Sequence, residues 1–182
     1  LSHAHIDHSG NIPNLVKQGY ANRIYATSAT VSLAEIMLRD SGHIQESDVQ
    51  YVNKKRARRG EPPVEPLYTY SDAEIACELF TPKEYNQTFE LINGVKATFV
   101  DSGHILGSAS IILDIHENGE SKRLWFSGDI GRDKLPLLND PTMPEKADYM
   151  IMECTYGDKV HRDPVTAFQE FREVTMKTIS RG

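Results

Sequence analysis

Four side chains that can bind metal ions lie within six residues near the start of the chain. Residues 1–10 read Leu-Ser-His-Ala-His-Ile-Asp-His-Ser-Gly and carry His3, His5, Asp7 and His8. Burying this many imidazoles and carboxylates would require a hydrogen-bonding partner for each of them, and a bound metal ion satisfies several at once. We therefore interpret the stretch as a metal-binding loop rather than as a histidine-rich surface loop or a tag.

The spacing within this loop suits two ions better than one. Residues two apart in an extended segment point the same way, so His3 and His5 can bind a single ion. Asp7 and His8 are displaced by the turn that follows and can face a second ion. Imidazole and carboxylate ligands are typical of zinc, with manganese or iron as alternatives where oxygen ligands accumulate.

Two later segments place further ligands directly after predicted strands. Asp-Ser-Gly-His at 101–104 follows a strand that ends at Val100, and Ser-Gly-Asp-Ile-Gly at 127–131 follows one that ends at Phe126. Glycines beside a polar side chain are typical of tight turns or close backbone approach, so a turn alone explains either segment. Three strand-end loops that each carry ligand types, with His104 and Asp129 as the later members, predict one shared site.

The elements that must position these loops are both helical and extended. Hydrophobic periodicity predicts a short helix after Asn11, a helix over 31–38 that ends at 40–43, further helices over 46–59 and 68–80, and a last helix over 164–180. Ser71 and Asp163 are the predicted N-caps of the helices at 68–80 and 164–180, and Phe168, Phe171, Val174 and Ile179 are predicted to point inward.

Strand signals dominate the second half of the chain. Two hairpins are predicted, 88–92 with 95–100 around Asn93-Gly94 and 110–115 with 123–126 around Asn118-Gly119, because Asn-Gly is the commonest two-residue hairpin turn. A short strand is predicted at 23–26. The apolar run at 149–152 predicts a strand buried on both faces.

Length and composition are those of a globular protein. The 182 residues, with 39% hydrophobic and 25% charged, suit one domain or one domain and part of another, and no apolar run approaches the length of a membrane span. The net charge of −6 argues against non-specific phosphate binding, yet two divalent ions would add positive charge where a phosphate would lie. Two distant cysteines, Cys77 and Cys154, without a signal peptide indicate free thiols and a cytoplasmic location.

The order of the ligands resembles that of a known superfamily. The series His3-Ala4-His5-Ile6-Asp7-His8, then His104, then Asp129 resembles the metallo-β-lactamase superfamily, an α/β (α+β) fold built as an αββα sandwich with a two-metal site at one edge. Asp-Ser-Gly-His-Ile-Leu-Gly-Ser-Ala at 101–109 and Glu-Cys-Thr-Tyr-Gly at 153–157 resemble its β-CASP branch of RNA-processing nucleases, which includes the endonuclease subunit of the cleavage and polyadenylation factor.

The resemblance implies a role for each ligand and a zinc-dependent ribonuclease activity. It implies that one zinc ion is held by His3, His5 and His104, the other by Asp7 and His8, with Asp129 bridging the two and a hydroxide between them as nucleophile. Asp7, Asp129 and Glu153 are the implied catalytic residues, and Glu153 would position a histidine acting as general acid. The resemblance implies RNA as the partner and no association with a membrane. It leaves open whether cleavage is endonucleolytic or exonucleolytic and whether the parent protein forms a homodimer.

The resemblance also implies how much of the family's structure is present. Because the chain opens on Leu1 and stops after a helix, we interpret it as a fragment, with residues 1–163 as a metallo-β-lactamase core truncated at its N-terminus. Residues 164–182 would lead towards an absent β-CASP domain that carries the general-acid histidine and a further zinc ligand. We therefore expect the isolated fragment to be inactive or nearly so.

Several alternatives share these residues. A hydrolase of thioesters, lactones or β-lactams can use the same ligands, and a DNA-directed nuclease is a lesser alternative. A non-catalytic scaffold would have lost ligands, whereas every ligand position that this chain covers is filled.

Other candidate residues have ordinary interpretations. The basic run Lys54, Lys55, Arg56, Arg58 and Arg59 is either an RNA contact or, as we favour, a solvated helix face. His161 either lines a substrate cleft or lies on a surface loop. We predict His43 at a helix end, His116 exposed beside a hairpin turn and Trp125 in the core.

Overall fold

The described residues of the computed structural model, 1–160 and 163–182, form five helices and seven strands. The helices are α1 (Ile6–Ser9), α2 (Ile12–Lys17), α3 (Ser28–Arg58), α4 (Tyr70–Cys77) and α5 (Pro164–Ile179). The strands are β1 (Ile24–Thr27), β2 (Phe80–Lys83), β3 (Thr88–Ile92), β4 (Val95–Asp101), β5 (Ala109–Glu117), β6 (Glu120–Phe126) and β7 (Tyr149–Ile151). The predicted mixed α and β class is confirmed.

The strands form two sheets. Strands β1 and β2 pair in parallel, and the larger sheet has the order β3-β4-β5-β6-β7, antiparallel except for the parallel pair β6 and β7. Both predicted hairpins are confirmed, since β3 pairs with β4 and β5 with β6 across the two Asn-Gly turns. In the second turn Asn118 and Gly119 have φ of 51° and 80°, the left-handed conformation that such a turn requires at both central residues.

The sheets and helices stack in layers. The rings of Tyr25 in β1 and Phe89 in β3 lie with centroids 5.0 Å apart, so the small sheet packs against the large one. Helices α3 and α4 supply Leu38 and Ala73 to a buried cluster that also contains Tyr68 and Ala4. The core therefore includes a residue of the histidine loop and fixes that loop against the helices.

The long helix differs from its prediction. Residues 28–58 form one continuous helix, N-capped by the Thr27 hydroxyl, where two helices separated at 40–43 were predicted, and His43 lies exposed in its middle rather than at an end. Gly42 is buried, and an added Cβ would lie 2.8 Å from the backbone of Thr69 and Tyr70. This glycine allows close approach of two segments and does not end the helix.

The region from 68 to 83 also differs in detail. Helix α4 is capped by Thr69 and Asp72, which form a reciprocal capping box, so Ser71 is not its N-cap. The predicted helix stop at 81–82 instead belongs to β2, whose register pairs Thr81 with Tyr25 and Pro82 with Ala26. This pairing joins segments more than 50 residues apart and has no local signal.

Two predictions of burial are wrong for the described chain. The residues of β7 are exposed, with Tyr149 at 59%, although the strand itself is present. Helix α5 begins after Asp163, as predicted, but its apolar residues do not point inward. Phe168, Phe171, Val174 and Ile179 are all more than half exposed. Within the described residues, no helix is long and apolar enough to cross a membrane.

Replacing Gly42 by alanine should destabilise the fold. Alanine forms helix better than glycine by about 1 kcal/mol, but the new methyl would meet the backbone of Thr69, and overpacking costs about 1–3 kcal/mol. We expect the free energy of unfolding, measured by urea denaturation, to fall. The control Asp40→Ala, at an exposed position of the same helix, should change it by less than about 0.5 kcal/mol; a Gly42→Ala variant more stable than the parent would contradict the close approach.

Candidate metal centre

The first two histidines are presented by an extended segment whose middle residue is in the core. Ala4 is fully buried, and the flanking His3 and His5 turn to the opposite side, where His3 Nε2 lies 3.1 Å from His5 Nδ1. His3 is itself buried, with its Nδ1 3.2 Å from the Ser2 hydroxyl. The alternation of an extended chain thus aims both imidazoles at one point.

The loop that carries His104 is held by a buried serine. The Ser108 hydroxyl accepts hydrogen bonds from the amides of His104 (3.0 Å) and Ile105 (3.1 Å). The carbonyl oxygen of Gly107 accepts from the hydroxyl groups of Thr27 and Thr30 at the start of α3. A side chain at Gly107, which has φ of +87°, would collide with the backbone of α3, so this glycine allows the loop to approach the helix closely.

The loop that carries Asp129 is fixed from three sides. Gly128 has φ of +57°, and an added Cβ would lie 2.9 Å from that of Ser2. The amide of Ile130 donates a 2.6 Å hydrogen bond to Glu153 Oε1. The amide of Gly131 donates to the carbonyl of Ser102 at 2.8 Å. These contacts leave the Asp129 side chain as the part of the loop that faces the histidines.

The three loops bring four donor atoms to one point. The donors of His3, His5, His104 and Asp129 lie within 4.8 Å of one another. His104 Nε2 is 3.1 Å from His5 Nδ1, and Asp129 Oδ2 is 3.5 Å from His3 Nε2 and 3.4 Å from His104 Nε2. The geometry therefore brings together ligand types from all three loops singled out in the sequence.

The remaining two loop residues lie on the other side of the same carboxylate. His8 Nε2 is 3.2 Å from Asp129 Oδ1 and 3.6 Å from Asp7 Oδ2. Asp7 is largely exposed, with 76% of its side chain accessible. Asp129 thus turns Oδ2 towards His3 and His104 and Oδ1 towards His8. This is the arrangement expected of a carboxylate that lies between two ions.

The four-donor cluster fits a tetrahedral metal ion. Two nitrogens bound at about 2.0–2.1 Å to tetrahedral zinc lie about 3.3 Å apart, close to the observed nitrogen separations of 3.1 Å. Burial, reinforced by the neighbouring His8, lowers the pKa of His3 to about 4, and burial also lowers the pKa of His104. Both imidazoles are therefore neutral at pH 7, the form that binds metal.

Glu153 lies beside the cluster but makes backbone contacts. Burial by itself would raise the pKa of Glu153, but hydrogen bonds from the amide of Ile130 and from Thr155 outweigh it and lower that pKa. The carboxylate is therefore ionised and holds the segment that follows Asp129.

The other candidates among the described residues are not part of the four-donor cluster. The basic run occupies the last turns of α3, where Arg56 binds the Pro62 carbonyl and the Glu61 carboxylate, and Lys55 lies over the Tyr51 ring. His116 is exposed beside the hairpin turn and Trp125 is buried, as predicted. His161 lies outside the described residues.

Sequence reasoning missed the serines that orient the ligands. Ser2 contacts the ring of His3, and Ser108 binds the two amides at His104. The position of Ser2 directly before a ligand is a weak signal for such a role. For Ser108 the sequence contains no such signal, because its bonds to the amides of His104 and Ile105 depend on the folded shape of the loop.

Relatives of known activity match the whole chain. The chain is 35% identical to Ribonuclease TTHA0252 of Thermus thermophilus, covering 37% of that protein. It is 30% identical to the transcription termination factor FttA of Methanocaldococcus jannaschii, covering 27%, and 27% identical to the endoribonuclease YSH1 of Eremothecium gossypii, covering 22%. Each match spans all of this chain, so the chain corresponds to less than two fifths of each relative.

The fold and the cluster define a mixed α/β protein whose strand-end loops form a candidate metal centre. The chain is similar over its full length to proteins named ribonuclease, endoribonuclease and transcription termination factor, and the resemblance to the β-CASP branch of the metallo-β-lactamase superfamily is confirmed. Among solved structures, the subclass B3 metallo-β-lactamase MEM-A1 matches 69% of this chain and 39% of its own at 25% identity, with a TM-score of 0.39. No family model matches the chain.

Removing one imidazole should remove metal. We expect His104→Ala to lower the metal content of the chain by about one equivalent after dialysis, measured by inductively coupled plasma mass spectrometry, because three of four donors bind far more weakly than four. The control His116→Ala removes an exposed imidazole outside the cluster and should retain the parent's metal content. Equal metal content in both variants would show that the cluster does not bind metal.

Removing the Ser2 hydroxyl should weaken metal binding without abolishing it. Groups that orient a ligating imidazole contribute about 10–100-fold to metal affinity, and Ser2 contacts the Nδ1 of His3, which leaves Nε2 towards the cluster. We expect Ser2→Ala to lower the affinity for zinc by that factor in competition with a chromogenic chelator. Ser32→Ala, which removes an exposed hydroxyl in α3, is the control, and an unchanged affinity in Ser2→Ala would exclude the orienting role.

Proposed function

We propose that this chain is the metal-binding part of a zinc-dependent ribonuclease that hydrolyses RNA phosphodiester bonds. The observation that carries the proposal is the two-sided environment of Asp129, with Oδ2 towards His3 and His104 and Oδ1 towards His8. Two-metal sites are suited to in-line displacement at phosphorus. The relatives named ribonuclease and endoribonuclease support RNA as the substrate.

The proposed roles of the residues follow their positions. One ion is assigned to His3, His5, His104 and Asp129 Oδ2, and a second to Asp7, His8 and Asp129 Oδ1. When bound, such a pair of ions makes water a stronger nucleophile at neutral pH and stabilises the charge that builds on the phosphate group.

Glu153, on the segment after β7, is joined to the loop of Asp129 by a hydrogen bond. The Asp129 carboxylate would offset the repulsion between two neighbouring cations, and its position depends on the loop whose Ile130 amide donates a 2.6 Å hydrogen bond to Glu153. Glu153 is therefore proposed as a positioning residue for Asp129. Its role towards a general-acid histidine stays a prediction.

Asp7 is proposed as the group that handles protons at the solvent side of the centre. Its carboxylate is exposed and adjacent to His8, so it can accept a proton from an attacking water and pass it to solvent. A carboxylate within hydrogen-bond reach of the reacting water is suited to this role.

A direct test compares two substrate classes on the natural polypeptide that carries these residues. A fluorescent RNA oligonucleotide should be cleaved and a thioester should not, and removal of metal by a chelator should stop cleavage until zinc is restored. We expect Asp129→Asn to lower kcat at least about a hundredfold, because both ions lose a shared ligand and the charge at phosphorus is less stabilised.

The matched control is Asp133→Asn, which makes the same chemical change at an exposed position four residues further on. Its kcat should equal that of the parent. Thioester hydrolysis with intact RNA, or zinc binding without any RNA cleavage, would overturn the proposed ribonuclease function.

A further inference from the structure

An open cleft lies beside the candidate metal centre. It is lined by the ligands His104 and Asp129, by Glu153, and by Arg132 and Tyr156. The ligand atoms thus form one wall, and a cationic side chain with no assigned role lies on the same surface.

The backbone holds Arg132 in a fixed position relative to the centre. The amide of the preceding Gly131 donates to the carbonyl of Ser102. Any side chain at Gly131 would collide with the carbonyl of Gly103, so the two loops touch through their backbones. Arg132 is therefore carried next to the His104 loop, three residues after Asp129.

Arg132 differs from the other half-buried arginines of the described chain. Arg39 lies 3.7 Å from the carboxylate of Glu35, and Arg56 lies 3.2 Å from that of Glu61. Within residues 1–160 and 163–182, no carboxylate lies within ion-pair distance of Arg132. A half-buried guanidinium without a counter-ion is poorly compensated, and an anionic ligand would supply the missing charge.

The nearby carboxylates in the cleft are already engaged. Glu153 Oε1 accepts the Ile130 amide at 2.6 Å, and both oxygens of Asp129 face imidazoles. Neither is placed to neutralise Arg132. The described residues of the cleft therefore leave Arg132 available to an anionic ligand.

The geometry points to Arg132 as a phosphate-binding residue that positions the substrate against the metal centre. A planar guanidinium can bind two oxygens of one phosphate group at once. This role rests on the proposed function, because the phosphate in question is that of the RNA to be cleaved. In this role the cleft binds the phosphate backbone of the RNA and does not contact its bases.

The first experiment measures binding of inorganic phosphate to the zinc-loaded chain by isothermal titration calorimetry. We expect Arg132→Gln to weaken binding about tenfold, the loss typical of one charge-assisted contact, with unchanged zinc content. Arg132→Lys should recover part of the affinity, since it keeps the charge but loses the bidentate geometry. Arg172→Gln, an exposed arginine of α5 that does not line the cleft, should bind phosphate like the parent.

The second experiment separates a nucleic-acid phosphate from a free one. Binding of a short single-stranded oligouridylate to the natural polypeptide is followed by fluorescence anisotropy at several salt concentrations. Loss of one phosphate contact should reduce the slope of log K against log salt by about 0.7 in Arg132→Gln. An unchanged slope together with weaker phosphate binding would overturn the RNA assignment.

The two proposals fail in different ways. If Arg132→Gln retains zinc and binds both phosphate and RNA like the parent, the role of Arg132 is excluded while the ribonuclease proposal stands. If the parent polypeptide cleaves no RNA when loaded with zinc, the ribonuclease proposal fails, and the assignment of the cleft to an RNA phosphate fails with it.

Discussion

The contact of one carboxylate with imidazoles from two different loops is the interaction on which the site depends. Asp129 lies within 3.2–3.5 Å of nitrogens of His3, His8 and His104, so the loops at 3–8 and at 104, both distant from it in sequence, meet at a single side chain. The neutral imidazoles of His3 and His104 offer lone pairs to a common point, which a cation satisfies better than any protein group.

The fold meets the requirement by locking the loops through their backbones. Gly107 packs on the start of α3, Gly131 packs on Gly103, and Gly128 packs on Ser2, which are close approaches that a side chain would prevent. Main-chain hydrogen bonds and serine hydroxyls hold the loops in position. The ligand side chains are therefore not needed for that purpose and are available to bind an ion. A preorganised ligand set of this kind loses little conformational entropy when it binds an ion.

The charge of the whole chain and the charge of the cleft have opposite implications for RNA binding. The net charge of −6 disfavours non-specific contact with RNA, and the basic run at the end of α3 is engaged partly within the helix and its neighbouring loop. Two proposed ions and Arg132, which has no ion pair within the described residues, would concentrate positive charge beside Asp129. Such an arrangement would bind a phosphate group at the metal centre itself and not across a broad basic surface.

Features decided by neighbouring residues could be predicted from the sequence. The Asn-Gly turns define both hairpins because their central residues must adopt positive φ, and the spacing of His3 and His5 places both on one side of an extended segment. The candidate ligand residues could be named from the sequence because imidazole and carboxylate groups so close together have few other uses, and the donors of His3, His5, His104 and Asp129 do lie within 4.8 Å of one another.

Features decided by contacts between distant segments could not be predicted from the sequence. The close approach of Gly42 in α3 to the backbone of Thr69 and the pairing of β2 with β1 join segments that share no local pattern. The exposure of Phe168 cannot be predicted from helical periodicity, which marks an apolar face but not what covers it. The sequence by itself therefore determined which residues are suited to a metal centre. Only the tertiary structure decided which oxygen of Asp129 faces which imidazole, because that depends on how close the loop backbones can approach.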